Sequence, residues 1–126
     1  MKNNNNPRLI IVQLLYSHFI NNDEFMFNFK NPYKKFIKKT CKGVVENNDI
    51  LEEKIKYYLD KKFNFKNFEL IFLLILKAAI FEILVLKKTP YKVVISEYLN
   101  VSKFFLLDEQ KSIINAVLDK ISKEIS

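Results

Sequence analysis

The sequence predicts an all-α fold, a single compact helical domain of six to seven helices. A chain of 126 residues and 15.1 kDa fits one domain with one core. The apolar share of 49%, with twelve Phe and six Tyr, is typical of a folded chain rather than a disordered one. One Gly and three Pro leave few residues for the tight turns of a compact sheet.

The same composition excludes several classes of function. A single Gly rules out the Gly-rich loops that hold nucleotide phosphates. Cys41 and His18 are each the only residue of their type, so the sequence has no intrachain disulfide, no cysteine cluster for zinc and no convincing set of nucleophile and base, and carboxylate sites are the alternative that stays open. We therefore predict a non-enzymatic protein without a cofactor. A reducing cytoplasm is the expected location, because Met1 to Pro7 is polar and lacks the pattern of a secretion signal.

The charge balance is strongly basic. The formal net charge is +7, and Arg8 is the one Arg among 21 basic residues. A surplus of this size favours nucleic acid or another polyanion as the partner. The alternative is that the abundant Lys, Asn, Ile and Phe reflect the nucleotide composition of the source genome.

The first predicted helix follows a polar leader. Residues 1–7, rich in Asn, are predicted to be a flexible leader, and residues 8–126 to be the helical domain. The helix starts near Arg8, where apolar side chains become nearly continuous from Leu9 to Tyr16. It is expected to end by the cluster of polar residues at 21–23.

The second predicted helix opens with Asn31 and Pro32. Asn caps a helix well, and Pro at the first helical position sacrifices no hydrogen bond. The helix runs to Gly43 or Glu46 and carries lysines on one face, Lys34, Lys38 and Lys42, with Lys35 and Lys39 beside them. We interpret this face as solvated, with an RNA contact as the alternative.

The third helix is capped by Asn48 or Asp49, and the fourth covers residues 70–86. The fourth segment is apolar apart from Lys77 and Glu82, and its 17 residues approach the ~20 that span a bilayer. Each charge at the bilayer centre would cost about 3 kcal/mol, so we predict a buried central helix and no membrane association.

Two more helices complete the chain. Thr89 and Pro90 repeat the signal of a cap followed by Pro. The fifth helix then has the apolar stripe Tyr91, Val94, Tyr98, Val101 and Phe105. Asp108 begins the sixth helix, whose inner stripe is Ile114, Val117, Leu118, Ile121 and Ile125.

Four stretches, in order along the chain, resemble the NusB family of bacterial transcription antitermination factors. Residues 8–16, RLIIVQLLY, are similar to the family's opening helix, in which an arginine-rich start leads to a Gln and then a Tyr. Residues 76–83, LKAAIFEI, and 90–97, PYKVVISE, resemble its two central motifs. Residues 113–120, IINAVLDK, resemble its terminal FVNGVLDK helix.

The resemblance implies a fold, partners and site residues. It implies a helical domain that binds boxA, a short single-stranded RNA element of ribosomal RNA leaders, jointly with the ribosomal protein NusE. The complex would act on the RNA polymerase elongation complex, and some family members form homodimers. The RNA-binding positions that it implies are Lys2, Arg8, Gln13, Tyr16, Phe105, Glu109, Lys111, Ser112 and Asn115. The positions that it implies for the protein partner are Phe72, Leu73 and Glu82.

The expected roles follow from side-chain chemistry. Arg8 can form a forked contact with a phosphate, and Gln13 can bond a base edge. Tyr16 can stack on a base, worth roughly 1–3 kcal/mol, and Phe105 takes the place of an aromatic beside the RNA. For Tyr16 and Phe105 the alternative is packing in the core. Asn3 to Asn6 stand where relatives carry arginines, which predicts weakened RNA binding.

Three hypotheses follow for the function. The first is an antitermination factor that binds boxA with NusE. The second is an accessory fragment of a ribosomal RNA cytosine methyltransferase, some of which carry a NusB-like domain; lack of S-adenosylmethionine binding would remove this reading. The third is a NusB-like protein-interaction module that has lost RNA recognition along with its arginines.

Overall fold

The predicted all-α architecture is confirmed. The computed structural model describes residues 6–125, and within them the chain forms six α-helices and no β-strand. The helices are α1 (Pro7–Asn21), α2 (Lys34–Glu46), α3 (Asn48–Tyr58), α4 (Leu70–Ile80), α5 (Tyr91–Ser102) and α6 (Asp108–Ser122). Short 3-10 turns cover Phe65–Asn67 and Lys123–Ile125, and a π-helical turn, Phe81–Leu86, continues α4.

Helix α1 begins one residue before the predicted start. The Asn6 side chain accepts hydrogen bonds from the backbone N–H groups of Arg8 and Leu9, which makes Asn6 the N-cap. Pro7 occupies the first helical position, where its missing N–H costs nothing. The last two residues of the predicted leader therefore belong to the start of the helix, while residues 1–5 lie outside the described part.

Helix α2 begins later than predicted. Asn31 does not cap the helix; its side chain accepts a hydrogen bond from the N–H of Tyr33 and forms a tight turn. The helix begins at Lys34 and ends at Glu46, the later of the two predicted ends. Helix α5 also begins later than predicted, by one residue, because Pro90 is the N-cap and Tyr91 is the first helical residue.

Helix α4 is the centre of the core, as the apolar segment predicts. Every residue from Phe72 to Ile80 is buried, including the charged Lys77. The Lys77 ammonium donates to Asn48 Oδ1 at 2.7 Å and to Glu52 Oε2 at 3.1 Å, and it lies 5.5 Å from the centre of the Phe19 ring. The ion pair and the hydrogen bonds of the Lys77 ammonium offset part of the free-energy cost of removing its charge from water.

A close contact between α2 and the π-helical turn fixes the position of the turn. A Cβ atom added to Gly43 would lie 2.0 Å from the Phe81 ring, so the ring occupies the space that any larger residue would need. Gly43 is therefore required by packing. The π-helical turn that begins at Phe81 also directs Glu82 into the interior, where it is 2% exposed.

No helix in residues 6–125 combines the length and the apolarity needed to cross a membrane.

Candidate nucleic-acid interface

An open groove brings together three of the residues predicted to bind RNA. Gln13 and Tyr16 of α1 line it with Phe105, from the turn between α5 and α6, and with Ile71 from the first turn of α4. The groove holds about 280 Å³. Its walls combine two aromatic rings with one amide, and these are groups that stack on bases and bond their edges.

The helical period of α1 explains why these side chains face outward. Leu9, Val12 and Leu15 are buried and form the inner side of the helix, while Gln13 and Tyr16, three residues apart, lie on its flank. Tyr16 is 42% exposed, so its ring is not committed to the core. The alternative of core packing for Tyr16 is therefore wrong.

Phe105 also lies at the surface. Helix α5 ends at Ser102, and the backbone then makes a tight turn in which the Phe105 N–H donates to the Ser102 carbonyl at 3.0 Å. The buried stripe of α5 continues only to Val101, and Phe105 is 37% exposed. The predicted stripe thus includes one residue too many, because the helix ends before Phe105.

Sequence reasoning missed Ile71 as a groove residue. The fourth helix reads as uniformly apolar, so no pattern separates its buried residues from the one that lines the groove. Phe104 and Leu107, in the turn between α5 and α6, are 52% and 70% exposed and were also not singled out.

The start of α6 carries the remaining predicted RNA contacts. Glu109 and Asn115 are exposed. The Lys111 ammonium pairs with the exposed Asp108 carboxylate at 2.9 Å, and the Ser112 hydroxyl donates to the Asp108 carbonyl at 3.2 Å. A surface pair of this kind contributes at most about 1 kcal/mol, so Lys111 remains free to exchange its carboxylate for a phosphate.

Arg8 does not present a free guanidinium. Its Nε donates to Glu82 Oε2 at 2.9 Å and its Nη2 to Glu82 Oε1 at 2.8 Å, which is a two-pronged ion pair. The guanidinium carbon lies 5.1 Å from the centre of the Phe36 ring and 5.8 Å from that of Tyr98. The Arg8 side chain is only 13% exposed. The predicted fork onto a phosphate is replaced, in this structure, by a fork onto a carboxylate.

Tyr98 completes this buried polar network. Its hydroxyl donates to Glu82 Oε2 at 2.6 Å, and the residue is fully buried. Burial, and then the nearby charge and hydrogen bond of Glu82, raise the pKa of Tyr98 well above its ordinary value. Burial lowers the pKa of Arg8, but the hydrogen bond and charge of Glu82 outweigh this, and the net pKa is raised. Both groups therefore keep their protons at neutral pH.

The residues predicted to contact a protein partner lie inside the molecule. Phe72 is fully buried and stacks on Phe68 with 4.5 Å between ring centres. Leu73 is 9% exposed, and Glu82 is held by Arg8 and Tyr98. The prediction that these three side chains contact a partner directly is wrong for this structure. The family motif lies on the central helix, and these positions face the core.

The lysine face of α2 divides into two groups. The ammonium groups of Lys34 and Lys38 lie 6.0 Å and 5.7 Å from the ring centres of Phe29 and Phe27, respectively, in the extended segment that precedes the helix. Lys42 is exposed, as are Lys35 and Lys39. The predicted solvated face therefore holds for the second group.

Among residues 6–125, no group of three or more His, Cys, Asp or Glu side chains is arranged to hold a metal ion.

The groove and the helical fold together define the class of protein. It is an all-α domain that exposes aromatic and amide groups in a groove beside its first helix. The NusB family model matches residues 5–123 of the chain. The chain belongs to the NusB family.

Individual relatives agree with this assignment. The transcription antitermination protein NusB of Thermodesulfovibrio yellowstonii is 35% identical over 91 residues, which are 72% of this chain and 60% of that protein. The protein of the same name from Clostridium tetani is 36% identical over 103 residues, 82% of this chain and 67% of that protein. The chain thus spans about 60% of the length of the first relatives that it matches.

A solved structure shows the same fold. T. maritima NusB superposes with a TM-score of 0.82 at 23% sequence identity, covering 95% of this chain and 90% of that chain. The predicted NusB-like architecture is therefore confirmed.

Proposed function

We propose that this protein is a transcription antitermination factor that binds boxA-type single-stranded RNA of ribosomal RNA leaders together with the ribosomal protein NusE. The complex acts on the RNA polymerase elongation complex in the cytoplasm. The protein performs no catalysis and uses no cofactor. Membership of the NusB family and the names of the relatives support this proposal.

The observation that carries the proposal is the groove formed by Gln13, Tyr16 and Phe105. Phe105 is almost 90 residues away from Tyr16 in the chain, and the fold brings both exposed rings to one opening. Two exposed rings are suited to stack on successive bases, since stacking contributes roughly 1–3 kcal/mol per base. The Gln13 amide can both donate to and accept from a base edge, which adds sequence preference to stacking.

Polar residues next to the groove extend the proposed RNA surface. Glu109, Lys111, Ser112 and Asn115 follow Phe105 by a few residues at the start of α6. Lys111 is the cation of this set, and Lys2, outside the described residues, is a second. Arg8 contributes indirectly, because its pair with Glu82 ties the start of α1 to the π-helical turn.

Fluorescence anisotropy with labelled RNA tests the proposal. The wild-type protein, with and without NusE, is titrated into boxA-like RNA and into a scrambled RNA of the same length. We expect tighter binding to boxA, strengthened by NusE. Equal affinity for the two RNAs in both conditions contradicts the proposal. Sedimentation of the protein at the assay concentrations shows whether a homodimer competes with RNA for the groove.

Two variants connect the binding to the groove. Tyr16→Ala and Phe105→Ala should each weaken boxA binding about 5- to 150-fold, the equivalent of 1–3 kcal/mol. Tyr16→Phe keeps the ring and should bind nearly as well as the wild type. Tyr57→Ala is the matched control, since Tyr57 is 78% exposed and is not among the groove residues. Equal losses for Tyr57→Ala and Tyr16→Ala would contradict the assignment of the groove.

A second candidate function is supported by the state of Arg8. Its guanidinium is already paired with Glu82, and Asn3 to Asn6 stand where the family resemblance implies arginines. Both observations favour a protein-interaction module with little RNA binding. In that case the chain binds NusE but shows neither preference for boxA nor sensitivity to Tyr16→Ala.

A further inference from the structure

Three lysines line a second groove, at the junction of the π-helical turn with α5. Lys87 and Lys88 follow the turn, and Lys92 lies in the first turn of α5. The groove holds about 770 Å³ and is also lined by Thr89 and Tyr91. The side chains of all three lysines are exposed. We refer to Lys87, Lys88 and Lys92 as the α4–α5 lysine cluster.

The positive charge of this cluster is not neutralised within the described part of the chain. None of the three lysines forms an ion pair with residues 6–125. Glu124 is the carboxylate that lines the groove, but Lys54 binds it at 2.8 Å and the Tyr58 hydroxyl donates to it. Three lysines thus face one carboxylate that already has a cationic partner.

The backbone of Lys87 adds a second observation. Its φ of 55° and ψ of 30° are left-handed, and its N–H donates to the Glu82 carbonyl at 2.9 Å to end the π-helical turn. A side chain in this conformation costs roughly 1–2 kcal/mol, which is why Gly is usual at such a position. This left-handed residue ends the π-helical turn and sets the point at which the Lys87 side chain leaves it.

The cluster lies next to the start of α1. Thr89 borders both the lysine groove and a neighbouring groove that is lined by Pro7, Arg8 and Val93. Arg8, at the start of α1, is already paired with Glu82, so its charge is compensated within the fold. The α4–α5 lysine cluster therefore places three exposed cations beside the start of α1.

We propose that Lys87, Lys88 and Lys92 bind the phosphate backbone of single-stranded RNA where the strand extends past the start of α1, beyond the groove of Gln13, Tyr16 and Phe105. This inference rests on the proposed function. Lysine ammonium groups are point charges without a fixed donor geometry, so they bind phosphates along a strand without reading its bases. The cluster thus supplies affinity and position, and the aromatic groove supplies sequence preference.

Salt dependence of RNA binding tests the inference. The variant Lys87→Ala/Lys88→Ala/Lys92→Ala is compared with the wild type by anisotropy over a series of KCl concentrations. The control variant, Lys35→Ala/Lys39→Ala/Lys42→Ala, removes the same charge from exposed positions of α2. Each lost phosphate contact reduces the slope of log affinity against log salt concentration by about 0.7. The slope of the cluster variant should therefore be smaller than that of the wild type by about 2. Between 50 and 200 mM salt, its affinity should then fall roughly 20-fold less than that of the wild type.

The outcomes separate this inference from the proposed function. A lower slope in the cluster variant but not in the α2 variant supports it, whereas equal changes in both variants overturn it as a general charge effect. The substitutions in the cluster variant should weaken binding to a boxA RNA with flanking nucleotides more than binding to an RNA trimmed to the boxA core. Equal losses for the two RNAs overturn the placement of the cluster beyond the aromatic groove. If the wild type binds boxA and the cluster variant keeps its slope, only this inference fails. If the wild type shows no boxA preference, the proposed function fails and this inference with it.

A single substitution separates charge from folding. Lys87→Gly relieves the left-handed strain, so the free energy of unfolding should stay the same or rise. It also removes one ammonium group, so the salt slope should fall by about 0.7. A stable Lys87→Gly variant with an unchanged slope shows that Lys87 does not contact RNA.

Discussion

Replacing Arg8 by Ala should destabilise the whole fold, although the residue lies at the edge of the described chain. The substitution leaves the Glu82 carboxylate, 2% exposed, with the Tyr98 hydroxyl as its one remaining hydrogen-bond partner among residues 6–125. Removing one partner from a buried ion pair costs about 3–5 kcal/mol, because the other charge stays buried and unpaired. The loss of guanidinium contact with the Phe36 ring acts in the same direction.

The size of this effect distinguishes two roles for Arg8. A surface arginine that waits for a phosphate could be removed for less than about 0.5 kcal/mol. A loss of 3–5 kcal/mol is instead a large part of the 5–15 kcal/mol that stabilises a typical domain. Stability measurements in the absence of RNA therefore report directly on the position of the guanidinium.

Urea denaturation followed by far-ultraviolet circular dichroism measures the free energy of unfolding for Arg8→Ala, Glu82→Gln and the double variant. Glu82→Gln removes the buried negative charge, so the double variant should be less destabilised than the sum of the two single variants. Arg8→Ala with a stability within 0.5 kcal/mol of the wild type, or strict additivity in the double variant, refutes the reasoning. RNA binding by Arg8→Ala is interpreted only under conditions where the variant is folded.

Three further predictions concern the core and one surface pair. Gly43→Ala should lose at least 1–3 kcal/mol in urea denaturation, since the added Cβ would lie 2.0 Å from the Phe81 ring; Phe81→Leu in the same chain should restore part of the loss, and no loss at all contradicts the contact. Burial raises the pKa of the Cys41 thiol to about 12, so a thiol reagent at pH 8 should label Cys41 only after denaturation; rapid labelling of the native protein contradicts this. Hydrogen bonds from Lys54 and Tyr58 lower the pKa of Glu124 below 4.5, so the pair stabilises the fold above the pKa of the unfolded chain, and this contribution is lost as the pH falls through the lower pKa of the folded protein. Melting temperatures of the wild type and Lys54→Met should therefore converge as the pH falls through the lowered pKa of Glu124, and a constant difference contradicts the pairing.

The helices of this protein could be read from local signals. The spacing of apolar residues predicted α3, α4 and α6, and most of their buried residues, because helical period and burial on one face are properties of neighbouring residues. The predicted helix starts were accurate to within two residues; α3, for example, is capped by Asn47 rather than by Asn48 or Asp49, and α6 begins at Asp108 as predicted. The errors at Asn31 and Pro90 arose because an Asn or a Pro can lie in a turn before the helix as well as within its first turn.

The candidate site was predictable only in part. The resemblance to the family indicated Gln13, Tyr16 and Phe105, and the structure places them in one groove. It could not indicate that Arg8 pairs with Glu82, 74 residues away, since the pair depends on how α1 lies against the π-helical turn. The resemblance likewise implies a surface position for Phe72, but the packing of α4 places this residue in the core.

The all-helical class, the basic charge and the order of the helices followed from the sequence alone, since each depends on composition or on residues a few positions apart. Which polar groups are free to bind a ligand depends on the packing of the helices. Burial and pairing are set by contacts between distant segments, as shown by the paired Arg8 and by the lysines of the α4–α5 cluster, which form no ion pair within residues 6–125. A charged residue acts on a partner only if the fold leaves its charge exposed and uncompensated.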